Sequence, residues 1–482
     1  MAPPSYMGLS GRPLSLAVSA ICTTGFLLFG YDQGVMSGIL TSPAFADVFE
    51  ETRNNSTIQG VVTSVYDLGC LVGAIFILAV GDQLGRRRAI IAGGIIMIIG
   101  ATIQVTAYPG HAPLAQFIIG RIITGVGNGM NTSTIPTYQA ECSKTSNRGL
   151  LICIQGGTIA FGTLIAYWID YGASYGPADL VWRFPIAFQI IFGIIVSTAM
   201  IWLPESPRWL LTHERYEDAN NVIAAIRGYE VDSQETAFER GIILDSIRAS
   251  GVFGGKSTPF KALFTNGKTQ HFRRMLLGAS SQFMQQVGGC NAVIYFFPIL
   301  CETFITPGDH NMALLLGGVN AIVYAIFGHY PAEINPIMTR AKANAVSTCT
   351  NWLFNFFIVL ITPVLVTNIG WGTFLFFAIL NATFLPVIYF FYPETARRSL
   401  EEIDIIFAKG NVENISYIKA AKELPLLSDD EVEQEALRYG LIDTAARGAV
   451  KAVIQNNEKV QEEDTSKKSD EDVPSQETKE EA

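Results

Sequence analysis

Charged residues are scarce in this chain, and the patterns that mark catalytic or cofactor sites are missing. Only 16% of the 482 residues are Asp, Glu, Lys or Arg, whereas 49% are hydrophobic. We find no nucleophile–base set, no metal-ligand cluster and no phosphate-binding loop, so neither an enzyme nor a cofactor is expected. The seven cysteines show no metal-ligand spacing, and no basic stripe points to a nucleic-acid partner. The scarcity of charge and the high apolar content indicate a membrane protein instead.

The apolar residues lie in long blocks and follow neither a helical nor a strand period. A helix needs about 20 apolar residues to cross roughly 30 Å of hydrocarbon. Ten segments meet this requirement, which predicts an all-α polytopic membrane protein. We number them spans 1–10, and they cover approximately 14–33, 58–80, 89–108, 114–138, 149–169, 184–203, 275–300, 311–330, 343–366 and 372–392.

Lys and Arg are concentrated in alternate loops. Arg86–Arg88 follow span 2, and Lys144 and Arg148 follow span 4, whereas YPGHAP, ETFITPGDHN and TNIGWG lack both residue types. The positive-inside rule places the first set in the cytoplasm, so both termini are expected there. Overlapping sequons at Asn54 and Asn55 lie in the first outer loop and are candidate glycosylation sites. No cleavable signal peptide is evident ahead of span 1.

The spans form two groups joined by a polar connection. We predict a six-span N-terminal bundle at 1–203, a cytoplasmic amphipathic-helix connection at 204–274 and a C-terminal bundle at 275–392. The remainder, 393–482, is predicted to be cytoplasmic and largely disordered, because its end is acidic and lacks aromatic residues.

Loop motifs indicate that the two groups arose from a repeat. PTYQAECSKTSNRG after span 4 matches HYPAEINPIMTRAK before span 9, and PESPRWL after span 6 matches PETARRSL after span 10. GDQLGRRR joins spans 2 and 3, but its expected counterpart after span 8 is absent. Span 8 instead runs directly into GHYPAEINPIMTR, so we predict that two spans are missing after Phe327.

These motifs resemble the sugar porter family of the major facilitator superfamily over Leu14–Ala408. FGYDQG at 29–34, QFIIGRIITGVGNGMNTSTIP at 116–136, AYWIDYG at 166–172 and PETARRSLEEIDIIFAK at 393–409 look most like fungal proton symporters for glycerol and monosaccharides. The resemblance implies the major facilitator fold, here with six spans in the first bundle and an incomplete four-span second bundle. Members of the family have six spans in each.

The function that the resemblance implies is transport of a sugar or polyol by alternating access, with protons as the coupling ion. The protein is then expected to be a monomer that crosses the lipid bilayer of the plasma membrane many times. The alternative is a non-transporting sensor, or a regulatory, truncated variant of such a transporter.

Two ionisable residues within spans are candidates for proton coupling, because charge in a membrane is costly and therefore usually functional. Asp32 is in span 1 and Arg121 is in span 4. In the proton symporters that the chain resembles, the matching Asp and Arg load and release the proton. The alternative interpretation is that Asp32 only marks the end of its helix near the membrane interface.

Amide side chains within the spans are candidates for substrate binding, because they donate and accept hydrogen bonds without charge. Gln282, Gln285 and Gln286 share one face of span 7, and Gly288–Gly289 permits a local break that could bring Asn291 to the same cavity. A single amide could equally hold two helices together. The positions that match the family's binding residues are Gln155, Gln282, Gln285, Gln286, Asn291, Asn320, Asn351 and Trp352.

Charges in the cytoplasmic loops resemble the family's gate, a network made in one state and broken in the other. The matching residues of the first half are Asp82, Arg86, Arg87, Glu141, Arg148, Glu205 and Arg208. Those of the second half are Glu333, Arg340 and Glu394. The arginines after span 2 also act as topology signals, whichever gating role they have.

Overall fold

The computed structural model is helical throughout the part of the chain that it describes, apart from turns and a single β-bridge between Tyr6 and Leu9. It divides into two units, one of Met1–Thr265 with His271–Phe390 and one of Asn266–Gln270 with Phe391–Ala482. The described residues are 4–40, 42–53, 55–143, 148–249, 264–265, 270–305, 312, 314–316, 340–394, 398, 400–425, 427, 431, 434–435, 438–439 and 441.

Six long helices and one short helix form the N-terminal bundle. They are α1 (Arg12–Ile39), α2 (Pro43–Val48), α3 (Ser56–Leu84), α4 (Arg86–Val105), α5 (Pro113–Cys142), α6 (Arg148–Ala173) and α7 (Ala178–Trp202). The long helices coincide with spans 1–6. Asn55 caps the start of α3 by accepting the Ile58 N–H at 3.2 Å. Gly85 separates α3 from α4 with a φ of 85°, a left-handed value that glycine adopts without strain.

Glycines allow α3 and α5 to pack with their backbones in close contact. A Cβ at Gly125 would lie 2.2 Å from the carbonyl oxygen of Tyr66, and one at Gly69 would lie 2.3 Å from that of Ile122. Small residues at helix crossings have this role in membrane proteins because dispersion contacts, and not hydrophobic burial, hold the helices together. The close packing brings side chains of α3 within reach of those on α5.

Three short helices lie in the connection after α7, namely α8 (Pro207–Thr212), α9 (Tyr216–Arg227) and α10 (Gln234–Ala249). Helix α9 buries its apolar face, including Val222 and Ile226, against the start of α1. The Gly11 N–H donates to the carbonyl oxygen of Ala225 at 2.6 Å, and the Ser15 hydroxyl donates to that of Ile226 at 3.2 Å. The N-terminal segment is therefore fixed to the connection.

The C-terminal group consists of α11 (His271–Val287), α12 (Cys290–Phe304), α13 (Arg340–Ile369) and α14 (Gly372–Phe391). Span 7 is broken between α11 and α12 at the two glycines where the sequence predicts a break. Gly289 has a φ of 84°, and the aromatic ring of Phe377 fills the space that a Cβ would need. Most of span 8, and the predicted junction after Phe327, lie outside the described residues.

Seven described helical segments are long and apolar enough to cross a membrane, and they correspond to spans 1, 2, 3, 6, 7, 9 and 10. Spans 4 and 5 also form long helices, α5 and α6. Helix α5 has a lower mean hydropathy because polar residues such as Asn128 and Asn131 lie on it, facing the bundle interior. Helix α14 differs from the other spans in its exposure, because no residue in its most apolar stretch of 18 residues is buried.

The second unit contains α15 (Leu400–Val412) and α16 (Tyr417–Glu423). They pack through Ile405, Ile406 and Leu424. The Arg398 guanidinium donates to the carbonyl oxygen of Leu424 at 2.6 Å, near the end of α16. The first part of the segment predicted to be largely disordered is therefore helical, and residues beyond 441 lie outside the described set.

Candidate functional site

The interior of the N-terminal bundle contains a fully buried carboxylate, Asp32 on α1. Its Oδ2 accepts hydrogen bonds from the Tyr66 hydroxyl at 3.3 Å and from Asn128 Nδ2 at 3.4 Å. Asn128 Nδ2 also donates to the Tyr66 hydroxyl oxygen. Asp32 Oδ1 is buried without a hydrogen-bond partner among the described residues. Three helices therefore hold a carboxylate that has the capacity to bind one further donor.

Arg121 on α5 is also fully buried. Its Nη2 donates to the Thr63 carbonyl oxygen at 3.4 Å, and its guanidinium carbon lies 4.6 Å from the centroid of the Tyr66 ring, a cation–π contact. Among the described residues, no nitrogen of Arg121 comes within 4.0 Å of a carboxylate oxygen. The predicted Asp32–Arg121 pair is therefore connected through Tyr66 and makes no direct ion pair.

Asp67 on α3 is a second fully buried carboxylate, and it is not among the residues predicted from the sequence. Its Oδ1 accepts hydrogen bonds from Asn355 Nδ2 on α13 at 2.9 Å and from the Tyr295 hydroxyl on α12 at 3.4 Å. Both donors belong to the C-terminal half, so this carboxylate joins the two halves. Its position in the apolar block of span 2 was the available signal, because an ionisable residue within a span is a functional candidate by default.

A chain of amides continues from Asp67 into the C-terminal half. Asn291 Nδ2 lies 2.8 Å from both Asn355 Oδ1 and Gln286 Oε1, and it donates to them. Gln286 and Asn291 are both buried and lie on either side of the glycine break, so the structure brings these two predicted residues together. Asn355 is not among the residues predicted from the sequence, although it follows Asn351 by four residues and thus lies on the same helix face.

A cavity of about 270 Å³ lies between the two halves. Gln282, Asn351 and Trp352 line it from the C-terminal half, and Asn351 Nδ2 donates to Gln282 Oε1 at 2.6 Å. The Trp352 ring packs edge-on against Phe29 and Tyr66, at centroid distances of 5.3 and 6.4 Å. The N-terminal half contributes Phe29, Ile77, Leu78, Gly81, Asp82, Arg86, Thr132, Ser133, Thr134, Pro136 and Thr137.

Three of the predicted binding residues are not part of this arrangement. Gln155 Nε2 donates to Gln139 Oε1, which joins α6 to α5 and is the helix–helix contact considered as the alternative. Gln285 is exposed, although its neighbour Gln286 is buried. Asn320 lies outside the described residues.

The predicted gate residues of the first half form a network at the junction of α3 and α4. Arg86 Nε lies 3.2 Å from Glu141 Oε2, and the Ser206 hydroxyl donates to the same oxygen at 2.5 Å. Glu205 Oε1 accepts the backbone N–H groups of Arg86 and Arg87 at 3.0 and 3.1 Å. This carboxylate satisfies backbone donors at the positive end of the α4 dipole.

The other predicted gate residues differ in how far the structure describes them. Asp82 Oδ1 lies 3.4 Å from Arg86 Nη1. Arg208 is on α8 and makes no ion pair with the residues that the structure describes. Arg148 and Arg340 begin α6 and α13, but their side chains are outside the described set, as is the whole of Glu333. Glu394 is exposed and belongs to the second unit.

The halves also meet near the C-terminal end of α1, away from the Arg86 end of the cavity. The Tyr167 hydroxyl donates to the Ile294 carbonyl oxygen at 2.5 Å, and Ser37 Oγ lies 2.9 Å from the same hydroxyl. Tyr295 and Phe296 of α12 are fully buried in a core that includes Tyr31 and Val35 of α1. The described helices of the two halves are thus in direct contact at this end. Asn54 lies outside the described residues, and Asn55 is exposed.

Comparisons with known proteins agree with this architecture. A model of the family described as sugar (and other) transporter matches residues 17–327 and 323–407. The sugar transporter STL1 of Saccharomyces cerevisiae is 39% identical over 511 positions, with 91% of this chain and 89% of the relative covered. The major facilitator superfamily transporter mfsA of Aspergillus fumigatus is 37% identical over 510 positions, with 90% and 93% covered.

The fold resembles that of a solved transporter. The major facilitator proton:xylose symporter XylE bound to 6-bromo-6-deoxy-D-glucose has a TM-score of 0.66 at 20% identity. The structural match covers 82% of this chain and 100% of the XylE chain. A partially occluded inward-open structure of XylE from E. coli has a TM-score of 0.64, also at 20% identity. At this identity the likeness concerns the fold alone.

The family match is interrupted at one place. Its two segments meet at residues 323–327, beside the predicted junction after Phe327. The alignment with STL1 spans 511 positions, which is more than the 482 residues of the whole chain. STL1 therefore contains residues that have no counterpart here.

The family model covers most of the chain, and two relatives exceed 30% identity over about nine-tenths of it. The all-α polytopic fold predicted from the sequence is confirmed by the described helices and by the structural neighbours. The chain belongs to the sugar porter family of the major facilitator superfamily, and it is a multi-pass membrane transporter and not an enzyme.

Proposed function

We propose that the chain moves a sugar or polyol across the plasma membrane by alternating access, with protons as the coupling ion. The observation that carries the proposal is the arrangement around Tyr66. Its hydroxyl donates to Asp32, and its ring packs on Trp352, which lines the cavity beside Gln282 and Asn351. A site for a proton and a site for a substrate are thereby in contact through one side chain.

The chemistry of the lining favours a neutral, hydroxyl-rich substrate. Gln282 and Asn351 provide both donors and acceptors, and the Trp352 and Phe29 rings provide apolar faces for the C–H side of a sugar. The similar proteins support this substrate class and the coupling ion, since STL1 is a sugar transporter and XylE is a proton:xylose symporter.

The proton role of Asp32 follows from its environment. A carboxylate within the bilayer is costly unless a cation or proton compensates its charge. Asp32 is fully buried and makes no direct ion pair with Arg121 among the described residues. When the cavity opens to the other side of the membrane, water can reach the site and the proton can leave.

Alternating access requires contacts that form in one state and break in another. The contact of Tyr167 with Ile294 closes the end near the C-terminus of α1, and the cavity extends to Asp82 and Arg86 at the opposite end. Both termini are proposed to be cytoplasmic, on the Arg86 side, from the distribution of Lys and Arg. We propose a monomer, since the cavity is lined by both halves of a single chain.

Replacement of Asp32 by Asn tests the proposal. In a transport-competent form, the variant should lose uphill accumulation of labelled substrate and become insensitive to a protonophore, while downhill exchange persists. The measurement is uptake of labelled glycerol, D-glucose and D-xylose in yeast without its own transporters. Full accumulation by the variant would refute proton coupling through Asp32.

We further propose that two spans of the C-terminal half are missing after Phe327 and that this form alone transports poorly. The interrupted family match supports the gap. The most apolar stretch of α14 has no buried residue, and Gln285 on α11 is exposed. Both observations are expected if neighbouring helices are lacking. The same uptake assay, run on this chain and on a version with the two spans restored, tests this. Equal, saturable and proton-dependent uptake by both would refute it.

Family membership favours a transporter over the non-transporting sensor or regulatory variant. The two would differ in the uptake assay, because a sensor binds substrate and does not accumulate it even when the missing spans are restored. Surface expression of each form should be measured in parallel, so that retention inside the cell is not mistaken for lost transport.

A further inference from the structure

Asp67 has contacts that differ from those of Asp32. Asp32 receives hydrogen bonds from within the N-terminal bundle, whereas the donors to Asp67 Oδ1 are Asn355 and Tyr295 of the C-terminal half. Asp67 Oδ2 is buried and has no hydrogen-bond partner among the described residues. A fully buried carboxylate with an unsatisfied oxygen at the contact between two moving bodies calls for a functional explanation.

The charges around Asp67 do not balance within the described residues. Two carboxylates, Asp32 and Asp67, accompany one guanidinium, that of Arg121, and neither makes a direct ion pair with it. The titratable or charged groups that interact with Asp67 are Cys70 on its own helix, Arg121 on α5 and Tyr295 on α12, and Asp32 on α1 also interacts with Arg121. Helix α13 contributes the neutral amide of Asn355. With both carboxylates ionised, the buried cluster carries one excess negative charge, which a proton can remove.

The acceptor on Asp67 also fixes the direction of the amides beyond it. Asn355 donates its Nδ2 to Asp67, so its Oδ1 points to Asn291 and accepts from that residue. Asn291 must then direct its Nδ2 towards Asn355 and Gln286. Each amide has one donor end and one acceptor end, so the carboxylate at the start of the chain determines which end of each amide remains for a substrate.

We propose that Asp67 is a positioning residue that orients the amides of Asn355 and Asn291 for substrate and links their arrangement to the uptake of a proton. Its hydrogen bonds cross the contact between the halves. A change in its charge therefore alters both the strength of that contact and the orientation of the amides that bind substrate. The inference rests on the proposed function, because it requires that these amides bind a substrate.

The test is the pH dependence of substrate binding to the purified full chain in lipid nanodiscs. Tritiated glycerol, D-glucose and D-xylose are bound at about pH 5 and about pH 8, with wild type compared to Asp67→Asn. The asparagine retains an acceptor for Asn355 and resembles the neutral acid. We expect wild type to bind more weakly at high pH. In the variant, the ratio of the two dissociation constants should fall towards one, while binding at low pH stays within about threefold of wild type.

Asp170→Asn is the matched control. Asp170 on α6 is another buried carboxylate, and it shares no hydrogen bond with Asp67 or its partners among the described residues. The control should leave the pH ratio unchanged. Asn355→Ala should weaken binding at both pH values, and in that background Asp67→Asn should have little further effect on the ratio of the two dissociation constants.

The outcomes separate the inference from the function on which it rests. Wild-type binding with an unchanged pH ratio in Asp67→Asn overturns the inference and leaves the proposed function intact. The same shift in Asp170→Asn also overturns it, because the effect would then follow from the loss of any buried carboxylate. If wild type binds none of the three compounds, the proposed function is overturned, and the inference with it. Thermal unfolding of each variant shows that it is folded.

Discussion

Replacement of Gly125 by alanine tests whether the close packing of α3 against α5 sets the geometry of the buried site. The added Cβ would lie 2.2 Å from the Tyr66 carbonyl oxygen and 3.0 Å from the Cys70 backbone nitrogen. Ordinary contact begins at 3.4 Å, and both atoms are backbone, so they cannot rotate away. The helices must separate by about 1 Å, and overpacking of this kind typically costs about 1–3 kcal/mol.

The same displacement would disturb the polar contacts between the two helices. Arg121 stacks on the Tyr66 ring at 4.6 Å, and Asn128 donates to the Tyr66 hydroxyl. A shift of about 1 Å exceeds the tolerance of a hydrogen bond, and each one lost costs about 1 kcal/mol. We therefore expect Gly125→Ala to lower both the thermal stability of the purified protein and its affinity for substrate.

The assay is thermal unfolding in detergent followed by size-exclusion chromatography, together with binding of labelled substrate. Gly157→Ala is the control, because it makes the same change in another span helix, α6, where nothing lies within 4 Å of the added Cβ. The control should be as stable as wild type or more stable, since alanine favours helix. Equal melting temperatures for both variants would refute the argument that backbone contact between α3 and α5 limits the site.

Three further predictions concern other parts of the molecule. Gln286→Ala should weaken substrate binding by about 1–3 kcal/mol, because Asn291 loses a buried acceptor; unchanged affinity at normal expression would leave Gln286 as a contact between helices only. Glu205→Ala should lower thermal stability by about 1–2 kcal/mol, since two backbone donors of α4 lose their acceptor; a stability equal to wild type would contradict this role. Asn55→Gln, alone and with Asn54→Gln, should remove a glycan and increase gel mobility; unaltered mobility of the double variant would place the loop away from the glycosylation machinery.

The sequence predicts the parts of the site that depend on local pattern. The glycines at 288–289 predict the break of span 7, because two adjacent residues without a Cβ weaken a helix and allow a left-handed turn. Gln286 and Asn291 are predicted to meet across that break, and they do. In the gate, Arg86 and Glu141 are charged residues just beyond the ends of spans 2 and 4, and the structure pairs them.

The missed and altered parts depend on contacts between distant segments. Asp67 lies in an apolar block whose mean hydropathy stays high despite one carboxylate. The residues that donate hydrogen bonds to it are 228 and 288 positions away in the sequence. Gln155 is of the residue type expected in a pocket, yet its rotation on α6 directs it to Gln139. The structure places Tyr66 between Asp32 and Arg121, and spacing along the chain does not reveal this.

The sequence by itself determined that this protein is a helical membrane protein and where its described membrane-spanning helices lie, because hydrocarbon imposes a fixed length and composition on any helix that crosses it. Only the tertiary structure decided which intramembrane polar groups share one site. A span has similar hydropathy whichever way it is rotated, so its orientation is set by packing. Glycine contacts such as Gly125 against Tyr66 turn particular faces of α3 and α5 together, and the carboxylates and amides on those faces meet as a result.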